Sequence, residues 1–294
     1  MHHTHAHVTT DTNKAFLLSA ALNTVFVIVE VIFGFLANSL ALLADAGHNF
    51  VDVLTLLLAW GANTLANIKP TNRRTYGYRR ATILAALFSS LALLGTMMMI
   101  TYEAILRLQS TVEPQSILII IVAAVGVIIN FATAALFLGH KDSDLNVKGA
   151  FLHLLADGLV SVAVVLGGLI IFFTGWLLVD PILSLLIVAT IAYSGWGLLK
   201  DSFNLSVDAV PQNIDIEEVK TYLLNLPGVT DIHDLHIWAM STTQVAMTAH
   251  ILRESENIDD DFLHQTTKEL KDKFGIHHAT IQIENGHCEL NCQQ

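Results

Sequence analysis

The chain is poor in the residues that staple a small fold or grip nucleic acid. It has two cysteines, Cys288 and Cys292, both in the last seven of 294 positions, so no disulfide framework organises it. Charged residues make up only 14%, and 15 Lys and Arg stand against 26 Asp and Glu, a formal charge of −11. That balance argues against nucleic acid as a partner. Much of the acid sits late in the chain, in Asp215-Ile216-Glu217-Glu218 and Asp259-Asp260-Asp261. No cleavage-site pattern follows the leader, so a removable signal peptide is not expected. No His-Glu-x-x-His occurs either, which removes the usual zinc-hydrolase signature.

What the chain has in quantity is apolar sequence: 53% hydrophobic residues and a mean hydropathy of +0.56. Crossing a bilayer as helix takes about 20 apolar residues. Six stretches meet that length, at 16–37, 39–65, 81–108, 115–139, 149–173 and 177–199. From Asp201 onward, polar and apolar residues mix as in a soluble domain. The expected fold is therefore an α-helical membrane protein with six transmembrane helices, then a small cytoplasmic α+β domain of order αββαβ. The expected divisions are a histidine-rich leader at 1–14, the membrane domain at 15–200, the cytoplasmic domain at 201–287 and a Cys-containing tail at 288–294. With the N-terminus inside, nine basic residues (Lys14, Lys69, Arg73, Arg74, Arg79, Arg80, Lys141, Lys148, Lys200) fall on the inner side and only Arg107 on the outer. By the positive-inside rule both termini are then cytoplasmic.

Within the apolar stretches two pairs stand out, His48-x-x-x-Asp52 and His153-x-x-x-Asp157. Residues four apart share one face of a helix, so each pair presents a nitrogen and an oxygen in the same direction. Two such helices face to face supply four donors of a type that suits a divalent first-row cation, with tetrahedral zinc the best match. An aspartate at a helix centre costs about 2.5–3.5 kcal/mol on insertion scales, so these groups are expected to have a function. Asp45 shares the face of His48, and two roles are open for it: shuttling ions, or holding the second ring nitrogen of His48. Glu30 is either part of the same relay or a buried carboxylate bonded to a neighbouring helix. Asn130 is expected to hydrogen-bond between helices, and Met97-Met98-Met99 to be packing. The basic segment 67–80 anchors the second and third spans at the inner surface, with contacts between protomers as the other reading.

The soluble part is expected to hold helices at 214–226 and 258–274 and strands at 229–240, 244–253 and 278–285. His233, His236, His250, His277 and His278 fall on or beside the strands, with Glu284 near the end, and metal binding by a subset is expected. The leader carries His2, His3, His5 and His7; it reads as a purification tag, a metal-attracting tail or part of a site completed elsewhere.

Four segments, LLADAGHNFVDVL, YGYRR at 76–80, HLLADGLVSVAVV and DLHIWAMS, resemble those of the cation diffusion facilitators, a family of zinc-exporting antiporters, over almost the whole length. The resemblance implies that His48, Asp52, His153 and Asp157 form the transport site, with histidine at 48 as in the zinc-preferring branch. It implies a cytoplasmic metal site of His233, His250, His277 and Glu284, and a second tail site joining the leader histidines to Cys288 and Cys292. It further implies a homodimer in the cell's inner membrane that exchanges Zn2+, with Cd2+ or Co2+ as further cargo, for H+ by alternating access. A metal-sensing receptor without transport is the alternative, and an intramembrane hydrolase is disfavoured because four protein donors leave no open coordination position.

Overall fold

The computed structural model describes residues 10–109, 113–138, 145–253 and 260–284. The leader histidines His2, His3, His5 and His7 and the cysteines Cys288 and Cys292 lie outside the described residues. Among the described residues, six helices are long and apolar enough to cross a membrane: α1 (Thr10–Leu36), α2 (Leu40–Ala66), α3 (Ala81–Arg107), α4 (Ser116–Phe137), α5 (Leu145–Thr174) and α6 (Val179–Ser206). They are followed by α7 (Ile216–Leu224), β1 (Val229–Ala239), β2 (Val245–Arg253), α8 (Asp260–Phe274) and β3 (Ile276–Glu284). The order αββαβ after the spans is the expected one. The change of composition at Asp201 falls inside α6, which runs on to Ser206: Ser202 is buried, and its hydroxyl donates back to the Leu198 carbonyl.

The chain forms two compact units. The first comprises Met1–Leu56 and Ser89–Trp196. Its centre is apolar, with Phe26, Leu42, Val51, Met97, Ile119 and Val164 buried together, while Phe35, Phe173 and Tyr193 point outward, as helices solvated by lipid require. Helices α4 and α5 approach closely. A Cβ on Gly168 would lie 2.8 Å from Ile120 Cγ1 and 3.4 Å from the Ile120 backbone nitrogen, so only glycine fits there. The turn from α1 to α2 is short, with Asn38 at φ 52°, a conformation asparagine tolerates better than most residues.

Helix α2 is capped from two directions. Ser39 Oγ accepts from Leu42 N–H at 3.2 Å, the bond expected of an N-cap serine. That hydroxyl donates to Asp180 Oδ1, and the same carboxylate accepts from the backbone N–H of Leu40 (2.7 Å) and Ala41 (3.3 Å). Asp180 thus begins α6 while its charge satisfies the first amides of α2.

The second unit comprises Leu57–Phe88 and Gly197–Gln294. Its sheet runs in the order β1-β2-β3, with β1 antiparallel and β3 parallel to β2. A parallel return needs a crossover, which α8 provides. Alternate residues of β2 face opposite sides. Val245, Met247, Ala249 and Ile251 are buried with Val219 and Leu223 of α7 and Leu270 of α8, whereas Thr248, His250 and Leu252 are only half-buried. The sheet therefore carries helices on one face, and His250 belongs to the other. Helix α7 starts at Asp215, whose side chain accepts from Glu217 and Glu218 N–H.

Candidate metal sites

The i, i+4 spacing places His48 and Asp52 on one face of α2, and His153 and Asp157 on one face of α5. The structure turns these faces toward each other. His48 Nε2 stands 3.6 Å from Asp52 Oδ2 and 3.7 Å from Asp157 Oδ1; His153 Nε2 stands 3.2 Å from Asp52 Oδ2 and 3.4 Å from Asp157 Oδ2. Donors about 2.05 Å from a tetrahedral ion are separated from one another by roughly 3.3 Å. The histidine–carboxylate spacings bracket that value, and one ligand atom each of His48, His153 and Asp157 lies within 4.8 Å of the others, with Asp52 approaching this trio through the two histidines. Asp52 Oδ2 and His153 Nε2, 3.2 Å apart, are close enough to share a proton when no metal lies between them. Burial is uneven: the side chains of Asp157 and His48 are 7% and 18% exposed, those of Asp52 and His153 33% and 48%. One edge of the site is thus open and the other sealed. The seal includes Gly158, where a Cβ would press on the Phe131 ring of α4 at 3.2 Å.

Behind the sealed edge lies a polar chain through four helices. Asn49 Nδ2 donates to Glu30 Oε2 at 3.3 Å, Ser161 Oγ donates to Asp45 Oδ2 at 3.3 Å, and Asn130 Nδ2 donates to Ser161 Oγ at 3.4 Å. Glu30, Asp45, Asn130 and Ser161 are all fully buried. The Glu30 and Asp45 carboxyl groups lie at hydrogen-bonding range of each other and so join the two halves of the chain when one of them carries a proton, while His48 Nδ1 has no partner. Asp45 therefore does not hold the second nitrogen of the His48 ring; its bond goes to Ser161 instead.

The second cluster sits on the open face of the sheet. His233 and His250 are cross-strand partners, with ring centroids 5.2 Å apart. Glu284, two positions further along β3 than the residue paired with His250, reaches back with Oε1 2.8 Å from His250 Nδ1 and Oε2 3.4 Å from His233 Nε2. Both of those nitrogens lack a hydrogen-bond partner, as converging donors would. The register of β1 slips between His233 and His236, and Asp234 within this bulge has φ 52°. The bulge re-aims its carboxylate along the sheet, 3.5 Å from His250 Nε2 and 2.9 Å from His236 Nε2. Its hydrogen bond with His236 holds its pKa below the ordinary carboxylate value.

The family model for the cation efflux transmembrane domain matches residues 16–205, and that for the cation efflux protein cytoplasmic domain matches 211–286. The chain belongs to the cation diffusion facilitator family. Among its relatives are the metal cation efflux system protein CzcD of Cupriavidus metallidurans, 39% identical over 94% of this chain and 88% of CzcD, and the zinc transporter ZitB of Escherichia coli, 38% identical over 97% and 92%. A third is the cadmium, cobalt and zinc/H(+)-K(+) antiporter of Bacillus subtilis, 36% identical over 95% and 91%. This facilitator is accordingly a multi-pass membrane transporter of metal cations and not an enzyme.

In this facilitator the four residues expected at the membrane site come together, and so do His233, His250 and Glu284 of the cytoplasmic set. His277 does not join them. It is exposed near the start of β3, seven residues before Glu284, a separation of about 23 Å at 3.3 Å per residue. Asp234 approaches the other ring nitrogen of His250, Nε2, from outside that set. Sequence reasoning missed it because an aspartate next to a strand histidine should face the opposite side, and only the bulge brings it round. Ser161 is the link between Asp45 and Asn130.

Proposed function

We propose that this protein exports Zn2+ from the cytoplasm in exchange for protons, with His48, Asp52, His153 and Asp157 as the transport site. The observation that carries the reading is that each imidazole of α2 and α5 stands 3.2–3.7 Å from both carboxylates, with His48, His153 and Asp157 forming the tightest group. A dication binds such a set only when the imidazoles are neutral and the carboxylates ionised, so loading releases protons and protonation expels the metal. Histidine, with an ordinary pKa near ~6.5, exchanges a proton for metal within the physiological range. Rocking of the helices then opens the site to each side in turn. The names of the relatives, a zinc transporter and a cadmium, cobalt and zinc antiporter, support a divalent soft-to-borderline cargo, with Zn2+ preferred and Cd2+ or Co2+ also carried.

Glu30 and Asp45 form the proton relay in this scheme. Their carboxyl groups stand within hydrogen-bonding range of each other, so a proton can be held between them beside the metal site. The cytoplasmic set of His233, His250 and Glu284 binds zinc as a sensor. The domain at 211–286 pairs two copies of the chain, and both termini lie in the cytoplasm beneath a bacterial plasma membrane, as the bias of basic residues requires.

The test is zinc flux in proteoliposomes under an imposed pH gradient, against cadmium, cobalt, iron and manganese. Flux that follows the gradient and is lost in Asp52→Ala and Asp157→Ala supports the reading. Zinc binding without flux would make the protein a metal-sensing receptor instead, and undiminished flux in both variants would remove the site assignment.

A further inference from the structure

The segment between α2 and α3 does more than join two spans. Backbone bonds between Thr71 and Arg74 close a small turn, each 3.0 Å long. Three contacts then tie the segment to the cytoplasmic sheet and its approach: Arg80 pairs with Asp208, the Tyr76 ring meets His278 edge-on at 5.8 Å, and Thr242 N–H donates to Thr82 Oγ1 at 3.1 Å. Between the segment and β1 they leave a cavity of about 890 Å3. One wall carries Arg73, Arg74, Arg79 and Arg80, and the other is apolar, with Val210, Ile237 and Trp238.

The charge of this cavity runs against that of the whole chain. Four guanidinium groups face one carboxylate, Asp208, and Asp208 is taken by Arg80. Arg73, Arg74 and Arg79 have no carboxylate partner among the described residues; Arg74 lies over the Tyr78 ring at 4.7 Å instead. A planar guanidinium pairs bidentately with phosphate oxygens. The volume is of the size that holds a small organic ligand, well beyond one inorganic ion, and the apolar wall offers a surface for an organic body. The segment leaves α2 and enters α3, both membrane spans, which puts the cavity at a lipid surface.

We propose that this cavity binds a phosphate group carried on an organic body, delivered by an anionic phospholipid of the surrounding leaflet. The arginines hold the phosphate and the Val210–Trp238 wall packs the remainder of the headgroup. Basic pockets at the cytoplasmic ends of spans suit anionic headgroups on general electrostatic grounds. The proposal takes from the orientation given above only which leaflet supplies the lipid; its readout is independent of zinc flux, so each can fail alone.

The test uses the full chain in detergent, titrated with brominated phosphatidylglycerol while quenching of Trp238 fluorescence is followed, with Trp238→Phe to isolate that signal. Phosphatidylethanolamine and glycerol 3-phosphate are the competitors. The expected result is one saturable site per chain, little competition by phosphatidylethanolamine, and binding at least tenfold weaker in Arg73→Gln/Arg79→Gln while zinc titration of the membrane site is unchanged. Competition by glycerol 3-phosphate at equal concentration would keep the phosphate site and assign its supply to soluble phosphate esters. Phosphatidylglycerol binding equal in parent and double variant, with no response to glycerol 3-phosphate, would overturn the proposal.

Discussion

Asp157→Asn is the most informative single change at the membrane site. The Asp157 carboxylate lies near both imidazoles, with Oδ1 3.7 Å from His48 and Oδ2 3.4 Å from His153, and it is 7% exposed, so water does not screen its charge. Removing one partner from a buried charge cluster costs about 3–5 kcal/mol. At about 1.4 kcal/mol per tenfold change, zinc should bind roughly a hundredfold to a few thousandfold more weakly. Asp52 is 33% exposed, so Asp52→Asn should cost less, because solvent compensates part of its loss. Calorimetric titration of zinc into protein in nanodiscs, on a His250→Ala/Glu284→Gln background that disables the cytoplasmic set, reads both. An Asp157→Asn affinity within threefold of the parent, or a larger loss for Asp52→Asn, would refute the reasoning.

Other consequences are equally open to measurement. Asp180→Asn removes the charge that serves the start of α2, where hydrogen bonds to an ionised acceptor are worth about 1.5–3 kcal/mol; the melting temperature in detergent should fall by several degrees while zinc affinity is kept. Gly168→Val drives side-chain carbon against Ile120 Cγ1 and Ile119 Cγ2 and should cost about 1–3 kcal/mol through overpacking, seen as a lower melting temperature; an unchanged value would mean that α4 and α5 are not packed this closely. Glu269 is held at about 2, below its ordinary 4.5, chiefly by its hydrogen bond with Lys273. A lowered carboxylate pKa stabilises above the unfolded value, and the gain fades as pH falls from about 4.5 toward 2. Glu269→Gln should therefore melt lower than the parent at pH 7, with the difference closing in acid.

The spans were legible because twenty-odd apolar residues without charge have few other uses, and the two His/Asp pairs because a four-residue spacing fixes a shared helical face whatever the tertiary structure. Ends were less so. Helix α6 outlasts its apolar run because its backbone bonds continue once the chain leaves lipid, and Lys200 and Asp201 gave no stop signal. The cytoplasmic set shows the limit of pattern reading. His233 and His250 could be placed on strands, but which strand residues face one another depends on register, and a bulge at Asp234 shifts register without any glycine or proline to announce it. Likewise the two oxygens of Asp180 that cap α2, about 140 positions away in sequence, follow from packing of α6 beside α2, which no local spacing encodes.

The most direct measurement of the central claim is zinc K-edge X-ray absorption on the His250→Ala/Glu284→Gln protein loaded with one equivalent of zinc. The account predicts four nitrogen or oxygen neighbours at about 2.0–2.1 Å, with the outer-shell scattering of two imidazoles, and loss of that signal in Asp157→Asn/Asp52→Asn. A spectrum with no imidazole contribution, or one unchanged in the double variant, would contradict it.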